Sequence, residues 1–174
     1  MQPNQSLRVR DVIAELEAWA PPALQESYDN SGLLVGDRNA EVTGVLVSLD
    51  CTEEVVAEAA ACGANLIISH HPIVFKGLKR FTGSTYVERT VMAAIRQGIQ
   101  LYAIHTNLDN VADGVNQRLA SLVGCTPESQ RILRPKASVL MQVVVYVPQD
   151  HAEAVQQAVF DAGAGRIGNY DECG

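Results

Sequence analysis

Three short apolar runs, Val42 to Leu49, Asn65 to Ser69 and Ile99 to Ile104, are each followed by a segment of helical period. That alternation constrains the fold more than any other feature. It is the pattern of right-handed βαβ crossovers, which build a parallel sheet covered by helices. Thr52 reads as a helix N-cap, with Glu53 and Glu54 as first-turn acids, and the helix it opens runs to about Cys62, where Gly63 ends it. Further helices are expected over about Val87 to Gln97, stopped by Gly98, and Val111 to Val123, stopped by Gly124. Ahead of these, Val9, Val12, Ile13, Leu16 and Trp19 recur at helical spacing until Pro21 and Pro22 interrupt it. A loop rich in turn formers, Glu26 to Gly32, leads into a short apolar stretch, Leu33 to Val35. Aromatic residues make up only 5% of a chain that is 47% hydrophobic, so its core must be built from Val, Ile, Leu and Ala, as buried parallel strands require. The expected fold class is α/β: a three-layer parallel-sheet domain with helices on both faces, over residues 1–134.

The pattern changes after Gly124. Cys125 to Pro135 is polar and carries prolines, as a linker does; Val139 to Val147 then reads as a strand, and Asp150 to Ala162 as a helix with an Asp N-cap. Residues 135–174 are too few to bury a core of their own. Either they dock on the first domain or they begin a domain that the sequence does not complete, and the second is the expectation. A net charge of -7 argues against nucleic acid as the main partner. No apolar run is long enough to span a membrane, and residues Met1 to Arg10 lack the apolar core of a signal peptide. Cys51, Cys62, Cys125 and Cys173 form no C-x-x-C pair and read as free thiols in a reducing compartment. The expected location is therefore the cytoplasm.

Chemistry is concentrated where the strands end. In open α/β sheets, ligands bind outside the carboxyl ends of the strands. Here those ends carry Asp50, the His70-His71 pair, and His105 with Asp109. Imidazoles and a carboxylate on one edge are donors that Zn, Mn, Fe or Ni accept. Pro72 stiffens the exit of the pair, and adjacent histidines can diverge toward two ions. Spacing alone leaves alternatives open. Asp109 fits a metal ligand or the N-cap of the helix near Val111. His105 fits a ligand, an orienting residue or a general base, and is taken as the catalytic residue. Asp50 either positions substrate or merely ends its strand. The basic loop of Lys76, Lys79 and Arg80 would draw an anionic substrate to this edge, or is a solvated surface. Gly163-Ala164-Gly165-Arg166-Ile167-Gly168 matches G-x-G-x-x-G, but it follows a helix instead of a strand, so it is rejected as a dinucleotide site.

Taken together, Glu26-Ser27-Tyr28-Asp29-Asn30-Ser31-Gly32-Leu33, Ser69-His70-His71-Pro72 with Lys76-Gly77, and His105-Thr106-Asn107-Leu108-Asp109 with Gly114-Val115-Asn116 carry a resemblance. They resemble, in order, the Nif-three-like dinuclear-metal family, also known as GTP cyclohydrolase I type 2 homologues. The stretch from Val139 to Cys173 is similar to the start of the ferredoxin-like insert of its longer members, a fold akin to signalling and copper-tolerance proteins. The resemblance implies two divalent ions, with His70 and His71 on different ions, Asp109 joining His71, and His105 close by. It also implies a homohexamer, and a His and a Glu far toward the C-terminus that complete the site. Nothing after His151 matches that pair, so the site in this sequence is expected to be incomplete. The implied activity is that of a metal-dependent hydrolase using metal-bound water on a small molecule, with a purine nucleotide suggested by the family name. The rival expectation is a metal-holding oligomer with a binding or regulatory role.

Overall fold

The protein is described here from a computed structural model, which covers residues 6–132, 142–166 and 169–173. The chain divides into two compact units, Met1–Ala137 and Ser138–Gly174.

In the first unit the apolar runs form strands and the periodic segments form helices, in the order the spacing implies. These are α1 (Val9–Trp19), β1 (Gly32–Val35), β2 (Val45–Ser48), α2 (Glu53–Ala61), β3 (Leu66–Ser69), α3 (Tyr86–Gln97), β4 (Gln100–Ala103), α4 (Thr106–Asn110) and α5 (Val115–Leu122). Thr52 caps α2 by accepting the Val55 N–H, and Thr85 caps α3 by accepting the Glu88 N–H. Gly98 closes α3 at φ 66°, a left-handed conformation that only glycine adopts without strain.

The sheet has the order β1-β4-β3-β2. Strands β2, β3 and β4 are parallel in register, with Ile67 paired to both Val47's neighbour Leu46 and Leu101. Every residue of β3 and β4 is buried, as central strands covered on both faces must be. Alternation then sorts their side chains into two cores. Ile67 and Leu101 face α2 and α3, joining Val56, Ala59, Val91 and Ala94. Leu66, Ile68 and Tyr102 face the other way, against Val9 and Ile13 of α1. The three layers expected from the sequence are present.

The expectation of an all-parallel sheet is corrected at one edge. Strand β1 runs antiparallel to β4, pairing Gly32 with Ala103 and Leu33 with Tyr102. The reason lies in the connection: α1 precedes β1 and the chain enters β1 from the opposite end of the sheet, so no crossover forces parallel pairing. The consequence is functional. The loop before β1 arrives at the same sheet end where β2, β3 and β4 terminate.

Between α4 and α5 the chain turns at Gly114, where an added Cβ would collide with the Leu108 carbonyl and come within 2.9 Å of Val111 Cγ1. Gly114→Ala is expected to cost about 1–3 kcal/mol through this overpacking. Thermal denaturation checks it, and an unchanged melting temperature would contradict the close approach.

In the second unit the expected strand is not found over residues 142–147; positions 139–141 lie outside the described residues. Val143, Val144, Val145 and Tyr146 are exposed, and a lone strand without a partner is not stable. The helix expected from Asp150 starts later, as α6 (Ala152–Asp161), after a short 3-10 turn over Gln149–His151. Asp150 therefore sits inside that turn and is not the helix N-cap. Helix α6 has no buried residue, in keeping with a segment too small to bury a core.

Candidate metal centre

Four of the candidate side chains follow the end of a strand. His70 and His71 directly follow Ser69, the last residue of β3. His105 lies two residues past β4 and opens α4, and Asp50 lies two residues past β2. Parallel register brings these ends level, since Ser48, Ser69 and Ala103 are consecutive partners across the three strands. Asp109 falls one helical turn after His105, with its N–H donating to the His105 carbonyl.

The three imidazoles are gathered into one cluster. Ring centroids are 5.0 Å apart for His70 and His71, 5.1 Å for His70 and His105, and 5.6 Å for His71 and His105. One ring nitrogen from each lies within 4.8 Å of those of the other two. His70 and His105 are about one-fifth exposed and His71 about half, so the cluster is walled by protein and open on one side.

In every ring Nδ1 is committed to an acceptor. His70 Nδ1 is 2.9 Å from the Ile104 carbonyl, His71 Nδ1 is 2.8 Å from Asp50 Oδ1, and His105 Nδ1 is 2.9 Å from Asp29 Oδ1. A carbonyl or a carboxylate oxygen can only accept, so Nδ1 carries the hydrogen, and in the neutral ring this leaves the Nε2 lone pair free. That is how metal-binding histidines are held, with an acceptor on the far nitrogen fixing tautomer and ring orientation. By this donor chemistry the residues fit a divalent transition metal. Asp109 adds an oxygen donor, its Oδ1 lying 3.8 Å from His70 Nε2. The approach is to His70, whereas the resemblance pairs Asp109 with His71.

Position removes one alternative for each of two residues. Asp109 lies within α4 and caps nothing, because α5 begins at Val115 with Gly114 before it. Asp50 does more than end its strand, since it holds His71. The fourth histidine, His151, belongs to the second unit, where it is exposed beside Asp150. Lys76, Lys79 and Arg80 are exposed.

Asp29 was not singled out from the sequence. Its side chain is fully buried. It accepts from Asn30 N–H, Ser31 Oγ, His105 Nδ1, Thr106 N–H and Thr106 Oγ1. Burial pushes its carboxyl up, but the hydrogen bonds from Thr106, His105, Ser31 and Asn30 outweigh it and hold the group well below the usual carboxylate range. The signal available was an acid inside a turn-rich loop. What hid its role was the direction of β1, which decides where that loop arrives.

The fold and site thus define an α/β domain with a candidate metal centre at the carboxyl edge of its sheet. Residues 7–173 match the family described as Duf34/NIF3 (NGG1p interacting factor 3), and the chain belongs to that family. It is 40% identical over 163 residues to a protein of Halalkalibacterium halodurans named GTP cyclohydrolase 1 type 2 homolog, covering 93% of this chain and 43% of that one. It is similar to the crystal structure of a Bacillus cereus protein related to NIF3, with a TM-score of 0.70 and 37% identity over 97% of this chain and 46% of that one. The Staphylococcus aureus protein SA1388 matches with a TM-score of 0.65 and 45% identity, over 68% of this chain and 34% of that one. The chain spans less than half the length of these relatives.

Proposed function

We propose that this chain provides a divalent-metal centre of a hydrolase acting on a small molecule, with a purine nucleotide as the substrate to test first. The observation that carries the reading is the convergence of His70, His71 and His105 with every Nδ1 tied to an acceptor. His70, His71 and Asp109 are the proposed ligands of Zn, Mn, Fe or Ni, two ions being the pattern of the resemblance. A bound ion would supply Lewis acidity and would lower the pKa of water toward neutrality. The protein's own part is to hold the imidazoles in one tautomer, to exclude water on the walled side, and to keep His105 Nε2 free.

His105 is proposed as the catalytic residue. With Nδ1 donating to Asp29, its Nε2 can accept a proton or bind an ion. His105→Ala separates the two: a base loses turnover with metal content intact, and a ligand loses both. Among the described residues no helix is long and apolar enough to cross a membrane. The cysteines are free, which suits the cytoplasm as the proposed location. A homohexamer, and a ferredoxin-like insert beginning near residue 135, are proposed on the resemblance.

The test is an assay of the purified protein with GTP and other nucleotides after loading with Mn or Zn, alongside elemental analysis. Metal-dependent release of product supports the reading. Retained metal with no turnover for any ion or nucleotide would sink the enzymatic part and favour a metal-holding regulatory protein.

A further inference from the structure

We infer that Tyr28 and Phe75 form a stacking shelf beside the histidine cluster for the planar ring of an anionic small molecule, its negative group being met by the loop of Lys76, Lys79 and Arg80. The inference rests on the cluster being a small-molecule site, and it names the substrate class: a heteroaromatic ring carrying phosphate or carboxylate.

The rings are placed for this. Tyr28 and Phe75 are 64% and 43% exposed and belong to neither hydrophobic core, so packing among the described residues does not explain them. Their centroids are 6.4 Å apart at 45°, and Phe75 is 6.4 Å from the His105 ring at 81°. A continuous line of rings therefore leads from solvent to the imidazoles. The shelf is also held in advance. Asn30 Nδ2 donates to the Val74 carbonyl at 2.6 Å, which ties the loop bearing Tyr28 to the one bearing Phe75. Asp29 anchors the same loop next to Tyr28, and Val74 packs on the core next to Phe75. Little ordering remains to be done when a ring settles there, and that favours binding.

Charge selects the ligand. In a chain of net charge -7, three cations fall within five residues immediately after Phe75. All three are exposed, and none takes part in an ion pair among the described residues. Aromatic faces accept any flat ring, so the shelf specifies shape while the loop specifies sign.

The probes are guanosine 5′-monophosphate and the ringless ribose 5-phosphate, titrated calorimetrically, with metal content measured on each sample. The nucleotide should bind more tightly than the sugar phosphate. Phe75→Ala should weaken the nucleotide roughly tenfold, the loss expected of one stacking contact, and leave ribose 5-phosphate unchanged. Phe75→Tyr should restore binding, and the combined Lys76→Ala, Lys79→Ala, Arg80→Ala variant should weaken both probes. Equal affinity for the two probes, or no effect of Phe75→Ala, would overturn the shelf. So would a change in oligomeric state with unchanged nucleotide affinity, which would mark the rings as a contact between copies. If the shelf fails while metal is retained, only this inference falls. If metal is absent but the stacking difference persists, only the metal centre falls.

Discussion

Replacing Asp29 with alanine is expected to destabilise the first unit by about 3 kcal/mol and to lower turnover roughly 10–100-fold with metal content retained. The stability loss follows from the donors it abandons: the Thr106 N–H, two hydroxyls and His105 Nδ1 lose their acceptor in a part-buried place, and the Asn30 N–H loses it at an exposed one. The loss of turnover follows from His105, which would no longer be held with its hydrogen on Nδ1. Asp29→Asn separates the two effects. The amide keeps the size of the side chain and one accepting oxygen, so more stability survives than in the alanine variant. Its nitrogen cannot accept, so a large part of the loss of turnover remains. Denaturant unfolding and the nucleotide assay with added Mn or Zn measure the two quantities. The pH dependence has a definite sign. Because the carboxyl sits below its ordinary value of 3.8, its contribution is fully present above about pH 4 and is lost as pH falls further. The alanine variant should show a flatter acid limb than the wild type. Equal acid limbs would contradict this.

His71→Ala should weaken metal binding by more than the roughly 10–100-fold typical of an outer partner, while stability changes by only about 0.5 kcal/mol. The small stability effect is expected because the ring is half exposed and its partner Asp50 is more so. Asp50→Ala should fall in the 10–100-fold range, since it acts on the ion only through His71. Calorimetric titration with Zn or Mn orders the two variants. The reverse order, with Asp50 mattering more than His71, would mean that the imidazole is not the ligand.

The sheet edge was legible in the sequence because apolar runs followed by polar ends report both a strand and where it stops. His70, His71, His105 and Asp109 stood out for that reason, and the parallel register of β2, β3 and β4 brings the histidines together. What could not be read was anything depending on chain direction or on short-range dihedrals. A stretch as short as Leu33 to Val35 has no periodicity that distinguishes parallel from antiparallel pairing. Asp29 was missed for the same cause, since only an antiparallel β1 carries its loop to the site. The competition for Asp109 between cap and ligand turned on helix boundaries, which sequence places poorly. A single turn, α4, begins at Thr106, ahead of the expected start near Val111, and it is this turn that frees Asp109 from capping. In the second unit the valine run at 142–147 has the composition of a strand, yet composition cannot supply the neighbouring strand that pairing requires.

The most direct test of the metal centre is anomalous diffraction at the absorption edge of Zn or Mn, from crystals grown with that ion. The expected result is a peak at the histidine cluster, with Nε2 of His70 or His71 and a carboxylate oxygen of Asp109 among its neighbours at about 2.0–2.2 Å for Zn and His105 Nε2 left free. An ordered cluster with no peak, and the ion instead on a cysteine or on carboxylates of the second unit, would contradict it.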